Sequence, residues 1–206
     1  MSEQPSTTAD VVQPHVTWYA AAEAPELVEF GPVRGLGVTG QGEPGGRMYQ
    51  ESVGALYAVA GQLLAQAGAA GAGFPMPALE GRWWVEDQGS PFEVPRERWW
   101  WHLFLRLPDT AAAEWVDRAR EAAREAAGLA AVSRVQLVTF TEGSCVQLLH
   151  RGPFADEPRS LARMGEFMGR NGLVPNGLHH ELYLSDVRNT APEELRTILR
   201  QPVRAG

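Results

Sequence analysis

The chain has 206 residues, 44% of them hydrophobic and 21% charged, enough to bury a sizeable core as one domain or one domain of two halves. Its net charge is −7, with 25 acidic residues against 18 basic ones, all arginine, which argues against a phosphate-binding surface as its main business and predicts no nucleic-acid partner. A single cysteine, Cys145, excludes an intramolecular disulfide and fits a reducing cytoplasm; no apolar run reaches membrane-spanning length, and the polar start MSEQPSTTAD lacks a signal-peptide pattern.

Residues 1–25 are rich in Ser, Thr, Pro and Ala without apolar periodicity and read as a flexible arm, with Trp18-Tyr19 docking it onto the body. Glu26–Phe30 and Val33–Thr39 have strand character, closed by the turn-rich GQGEPGG. From Arg47 to Ala67, Tyr49, Val53, Leu56, Tyr57, Ala60, Leu63 and Leu64 recur at spacings of three and four, predicting a helix that ends at Gly68–Gly73. ALEGRWWVE (78–86) and RWWWHLFLRL (98–107) read as strands joined by a polar loop. Asp109-Thr110 reads as the cap of an Ala-, Glu- and Arg-rich helix that reaches Ala127, with Gly128 as its stop. Val135–Phe140 and Cys145–Arg151 read as strands on either side of a Glu142-Gly143 turn. A helix then runs from Pro158 to Asn171, stopped by Gly172.

The closing stretch, His179–Val203, carries the most chemistry. It opens with strict alternation: His179, Glu181 and Tyr183 share one face of a strand, and His180, Leu182 and Leu184 share the other. Strands disfavour a mid-strand Glu unless something uses it. Thr190-Ala191-Pro192-Glu193 reads as a helix start, and Leu195–Val203 as a second extended segment. The order strand, helix, strand, strand therefore occurs twice, which predicts an α+β fold of two β-α-β-β repeats.

Glu181-Leu182-Tyr183-Leu184-Ser185-Asp186 resembles the Glu-Ile-Tyr-Leu-Ser-Asp strand that often closes domains of the GyrI-like small-molecule-binding superfamily. The His-His start and the Leu-Arg-Thr-Ile-Leu-Arg end resemble a stand-alone branch that includes the cyclopropanoid cyclopropyl hydrolases. ALEGRWW, Trp99-x-Trp101 with Leu105-Arg106-x-Pro108, and Glu142-Gly143 with Gln147-x-x-His150-x-Gly152 are similar to further segments of that branch. Ala78 and Arg82 stand where it is expected to have Pro and Leu. The resemblance implies SHS2-type repeats over about 26–108 and 129–206, a linking helix at 109–127 outside the repeat, and a ligand cleft between the halves. The lead-in is too short and too acidic for a helix-turn-helix domain, so no fused drug-sensing transcription factor is expected.

Five tryptophans sit in two adjacent strands: Trp83, Trp84, Trp99, Trp100 and Trp101. Consecutive strand residues point to opposite faces, so they cannot all fill one core, and some are expected to line the cleft. Trp83, Trp84, Trp99 and Trp101 are the candidate walls. Glu181 reads either as the partner of an arginine (Arg34, Arg82 or Arg106) or as a cleft carboxylate whose lost solvation makes it a general base. The resemblance implies the cleft for Glu181 and a ligand contact for Tyr57. Glu80 lines the cleft or anchors a loop, and His179 shares Glu181's face.

No phosphate loop, metal-ligand spacing or nucleophile elbow is present in the sequence, and neither metal nor organic cofactor is expected. The resemblance implies a hydrolase that sandwiches a flat aromatic compound and opens its strained cyclopropane by water addition. Glu181 would act as base and Tyr183 or His179 as oxygen donor. The same cage would also serve a passive binder of aromatic or cationic drugs, and a topoisomerase interactor is a third reading. The partner is a small molecule, the state monomer or homodimer, and the compartment the cytoplasm.

Overall fold

The computed structural model describes residues 18–87 and 91–206. Of the arm read over 1–25, residues 1–17 lie outside the described residues. The first half runs β1 (Glu26–Gln41), α1 (Arg47–Ala69), β2 (Leu79–Trp84) and β3 (Trp100–Arg106). A linking helix, α2 (Ala113–Ala127), follows. The second half runs β4 (Gln136–Arg151), α3 (Glu157–Arg170), a short β5 (Leu173–Pro175), β6 (His179–Tyr183) and β7 (Arg196–Ala205). Apart from β5, each half is the expected β-α-β-β unit. The strands pair antiparallel in the order β4-β1-β3-β2-β6-β7, and a β4–β7 pairing closes the six into a barrel-like ring. The halves thus meet along two seams, β1–β4 and β2–β6.

Alternation sorts side chains to the inside and outside of this ring. The apolar stripe of α1, with Ala55, Leu56, Val59, Ala60 and Leu63, covers Leu36, Val38, Trp101, Leu103 and Leu105 on the outer face of the first half. Val116, Ala119 and Ala123 of α2 join that cluster, and Gly128 ends α2 in the left-handed conformation at φ 61°. Met164 of α3 packs on Val146, Leu148, Leu199 and Val203 of the second half.

Inside the ring, Val28, Phe30, Phe104, Cys145, Leu182 and Ile198 pack around Trp18, and four fully or nearly fully buried ionisable groups sit beside them. His180 places Nδ1 2.8 Å from Glu142 Oε1 and Nε2 3.0 Å from Glu80 Oε2, the second contact being poorly directed for a hydrogen bond. Arg200 Nη1 donates to Glu142 Oε2 at 3.0 Å, its Nε to Gln147 Oε1 at 3.0 Å and its Nη2 to the Trp18 carbonyl at 2.8 Å. Trp18 Nε1 and Tyr19 Oη both donate to Glu80 Oε1, at 3.0 and 2.8 Å. The docking of Trp18-Tyr19 is therefore an ion-network contact as well as an apolar one.

Three local signals yield to longer-range interactions. Asp109-Thr110 forms a turn, not a cap: Arg34 holds the carbonyls of Asp109 and Ala111, and α2 starts only at Ala113 after Ala112. Glu142-Gly143 is not a turn. β4 runs straight through it because β1 is equally long and pairs on both sides, Glu29 with Ser144 and Pro32 with Thr141, while Gly143 takes a φ of 65°. Pro192–Glu194 makes a single 3-10 turn, because pairing of β7 from Arg196 leaves no room for a helix.

Burial opposes a charge on His180, but Glu142 and Glu80 outweigh it and raise its pKa. A raised folded value contributes stability fully below the ordinary imidazole pKa of 6.5, and that contribution is lost as pH rises through the folded value. Replacing His180 with Leu leaves two buried carboxylates facing one arginine. We expect a loss of about 3–5 kcal/mol in urea unfolding at pH 6; a loss below about 1 kcal/mol would show that the network is dispensable.

Candidate ligand cleft at the β2–β6 seam

On β6, alternation sends His180 and Leu182 into the ring and His179, Glu181 and Tyr183 outward. β2 runs alongside, Gly81 opposite Glu181 and Trp83 opposite His179. Gly81 is required by what lies over it: a Cβ there would sit 2.8 Å from Trp83 Nε1 and 3.1 Å from Tyr183 Oη. Across that gap Trp83 Nε1 donates to Tyr183 Oη at 3.3 Å, and Tyr183 Oη donates to Glu181 Oε2 at 2.7 Å. Glu181 Oε1 is 3.5 Å from His179 Nε2, and the side chains of His179 and Glu181 keep 22% and 15% of their exposure.

The helices complete the walls. Tyr49, in the first turn of α1, lies parallel to Trp83 at 6.0 Å and edge-on to Trp101 at 5.6 Å. Trp99 meets Trp83 edge-on at 6.2 Å. Phe154, just before α3, sets its ring edge-on to Tyr183 at 5.9 Å. Glu157, the first residue of α3, has a buried Oε1 with no hydrogen-bond partner among the described residues. Tyr57 borders the group, next to the Leu79 backbone and within reach of Asp186 and Arg188.

Electrostatics set the protonation states. Burial and then the charge of Glu181 push the Glu157 carboxyl up to about 9, so it is neutral at pH 7. Burial, then Glu181, hold the Tyr183 and Tyr49 hydroxyls well above the ordinary phenol value, which keeps both as donors. Among the described residues, no group of three or more His, Cys, Asp or Glu side chains is arranged to hold a metal ion.

The structure brings together Glu181, Tyr183, His179, Trp83 and Trp99, with Trp101 as a fully buried floor and Tyr57 at the margin. Two expected residues lie elsewhere. Glu80 points into the ring, held by Trp18, Tyr19 and His180. Trp84, one residue after the outward Trp83, also points inward and stacks on Trp100 at 5.8 Å. None of the three arginines considered as partners of Glu181 reaches it. Arg82 donates to His102 and lies over Phe140, Arg34 holds backbone carbonyls, and Arg106 lies over Trp18. Tyr49, Phe154 and Glu157 were not legible as site residues. The available signal was that Tyr49 sits two helical turns before Tyr57.

Open cavities of about 400 and 250 Å³ lie away from this seam, one between α1 and α2 and one beside β4 and α3. The seam itself is filled by its own rings, with Tyr49 on Trp83. Gly81→Ala should therefore act as an over-packing change, costing about 1–3 kcal/mol and altering near-UV circular dichroism. Gly61→Ala on exposed α1, where nothing lies within 4 Å, is the control and should not destabilise. Equal stability of the two variants would contradict the packing of Trp83 and Tyr183 over Gly81.

Residues 112–204 match the GyrI-like small molecule binding domain. An uncharacterized conserved protein from Listeria innocua is 38% identical, with a TM-score of 0.84 over 91% of this chain and 95% of that one. A hydrolase from Listeria innocua is 37% identical over the same shares, with a TM-score of 0.79. The C-terminal domain of EcmrR shares the fold alone, at 11% identity and a TM-score of 0.56 over 88% of this chain and 98% of that one. No curated protein matches the chain by sequence. By the similarity along nearly its full length, the chain belongs to the GyrI-like family of small-molecule-binding proteins.

Proposed function

We propose that the protein is a hydrolase of flat aromatic compounds that carry a reactive cyclopropane, and that it opens the ring by adding water. The observation that carries this reading is the Glu181 carboxylate, fixed by Tyr183 at 2.7 Å beside the Tyr49–Trp83 stack. A carboxylate set at the edge of an aromatic wall serves water activation, and stacking against that wall positions the ring. The 37% identity to a Listeria innocua hydrolase supports hydrolysis as the reaction class. The choice of a cyclopropane rests on the resemblance of 179–186 and the tryptophan segments to the cyclopropyl hydrolases. Such an activity would destroy a DNA-alkylating compound before it reached DNA, and so protect the cell.

In this mechanism the planar substrate takes the place of the Tyr49 ring on Trp83, exchanging one stacked pair for another. Trp99 and Trp101 close the remaining sides. The aromatic faces stabilise positive character at the ring carbon as its bond stretches. Glu181, already oriented by Tyr183, takes the proton of the attacking water.

Glu181→Gln keeps the shape of the site and removes the proton acceptor. Turnover of a cyclopropane-bearing substrate should fall by about 10²–10⁴-fold, while affinity for a neutral flat ligand stays within about threefold. Trp83→Ala should weaken binding and turnover together, because stacking precedes chemistry. Ring-opened product followed over time, beside a fluorescence titration, separates these outcomes. Product formed by the unmodified protein only at the uncatalysed rate would leave sequestration of aromatic or cationic compounds as the function.

A further inference from the structure

We infer that the protein has a second ligand site, at one end of the strand ring, where Arg82, His102, Trp84 and Trp100 take a flat aromatic carboxylate. The site lies on the inner face of β2 and β3, behind the β2–β6 cleft, and does not depend on the hydrolase reading.

Strand alternation assembles it. Arg82 and Trp84 of β2 point into the ring, opposite His102 and Trp100 of β3, and make two adjoining rungs. Residues two apart on a strand are separated by about 7 Å, so a guanidinium and a pair of indoles sit side by side. Pairing of β6 with β2 stops at Trp83, and no strand flanks Trp84 on that side. Arg82, Trp84 and Trp100 each keep partial exposure, so a solute can reach them.

The first rung carries a cation without a counter-ion. Arg82 lies over the Phe140 ring at 3.8 Å and donates Nε to His102 Nδ1 at 3.2 Å. Its terminal nitrogens meet no carboxylate or carbonyl among the described residues. The ring carboxylates are already engaged, Glu80 by Trp18, Tyr19 and His180, and Glu142 by His180 and Arg200. They act on Arg82 only through space, and burial opposes its charge more strongly than they support it. Burial, then Arg82, keep His102 neutral down to about 3. Because its Nδ1 accepts from Arg82, its proton is on Nε2, a further donor. Trp100 Nε1 is buried and has no partner among the described residues. The unmet groups here are all donors, so the partner that fits them is an anion.

The second rung selects the rest of the ligand. Trp84 and Trp100 stack with ring centres 5.8 Å apart and planes 13° from parallel. A small inorganic anion would pair with Arg82 and leave these rings unused. An aryl carboxylate uses both rungs, with its carboxylate in a bidentate pair on the guanidinium and its ring against the indoles. The rung spacing of about 7 Å suits a short arylalkanoic acid. The other ring cations, His180 and Arg200, are paired with Glu142, so one guanidinium suits a singly charged carboxylate better than a phosphate dianion. The cleft on the opposite face presents Glu181 and repels an anion, which makes ligand charge the property that separates the two sites.

The test titrates the full chain, labelled with nitrogen-15 at tryptophan, with phenylacetate and 1-naphthylacetate, and with the corresponding amides as uncharged controls. The unmodified protein should bind the carboxylates about 10-fold or more tighter than the amides. The indole N–H signals of Trp84 and Trp100, identified by their Trp→Phe variants, should move. Arg82→Leu should lower carboxylate affinity by about 10–100-fold, to the level of the amides, and leave turnover at the cleft unchanged. If Arg82→Leu does not fold, as judged by circular dichroism, Arg82→Lys is used. It keeps the charge without the bidentate fork and should bind the carboxylates about tenfold more weakly than the unmodified chain. Equal affinity for acid and amide, unchanged carboxylate affinity in the folded variant, or shifts confined to Trp83 and Trp99 would overturn the second site and leave the hydrolase reading standing. Carboxylate binding at Trp100 without turnover of any cyclopropane would support the second site and remove the hydrolase reading alone.

Discussion

Charge compensation inside the ring is the constraint on which the rest depends. Glu80 comes from β2, His180 from β6, Glu142 from β4 and Arg200 from β7, so one buried cluster ties both halves together. Ions removed from water are tolerated only when each finds its partner, and the loss of one exposes the others. Trp18 and Tyr19 complete the set by donating to Glu80. The outward-facing site residues are one position along the same strands: Gly81 follows Glu80 and Glu181 follows His180. The backbone beneath the candidate cleft is therefore fixed from the opposite face, so the outward side chains of β2 and β6 rest on a rigid support.

Outside the ring, the first turn of each repeat helix reaches the β2–β6 seam. α1 delivers Tyr49 and the approach to α3 delivers Phe154 and Glu157, while β2 and β6 supply Trp83, Glu181 and Tyr183. The pseudo-repeat thus gives the two sides different chemistry: mostly aromatic surface from the first half, carboxyl groups from the second. The rings pack on one another, and the side chains of His179 and Glu181 keep only 22% and 15% of their exposure. Electrostatic effects between Glu157, Glu181 and Tyr183 are correspondingly stronger than they would be in solvent.

The repeat architecture was legible in the sequence because strand and helix periodicities differ and recur in the same order. The outward face of β6 was legible too, since His179, Glu181 and Tyr183 follow strict alternation. The same rule also separated Trp83 from Trp84, but not which of them faced the cleft; that depended on which side α1 covers. For Glu80 the sequence leaves two readings open, lining the cleft or anchoring a loop, because it too is a mid-strand carboxylate beside aromatics. Its inward direction becomes plain only from the partner strand, where Glu80 faces Leu182 and not Glu181. Glu142-Gly143 shows the limit of local signals, for a turn-like dipeptide was overridden by a long antiparallel partner. Tyr49 and Glu157 escaped notice because helix N-termini have no periodicity of their own to mark which residue meets a distant strand. The closing of six strands into a ring was likewise invisible, since it depends on the β4–β7 pairing.

The central claim is that ligands enter the β2–β6 seam, and a structure with the ring-opened aromatic product bound tests it most directly. A planar ring should stack on Trp83, with Tyr49 swung away from the position it holds 6.0 Å from that indole and the product's new hydroxyl beside Glu181. Product lodged instead in the cavity lined by Gln66, Trp115 and Arg118, with the Tyr49–Trp83 stack undisturbed, would contradict it.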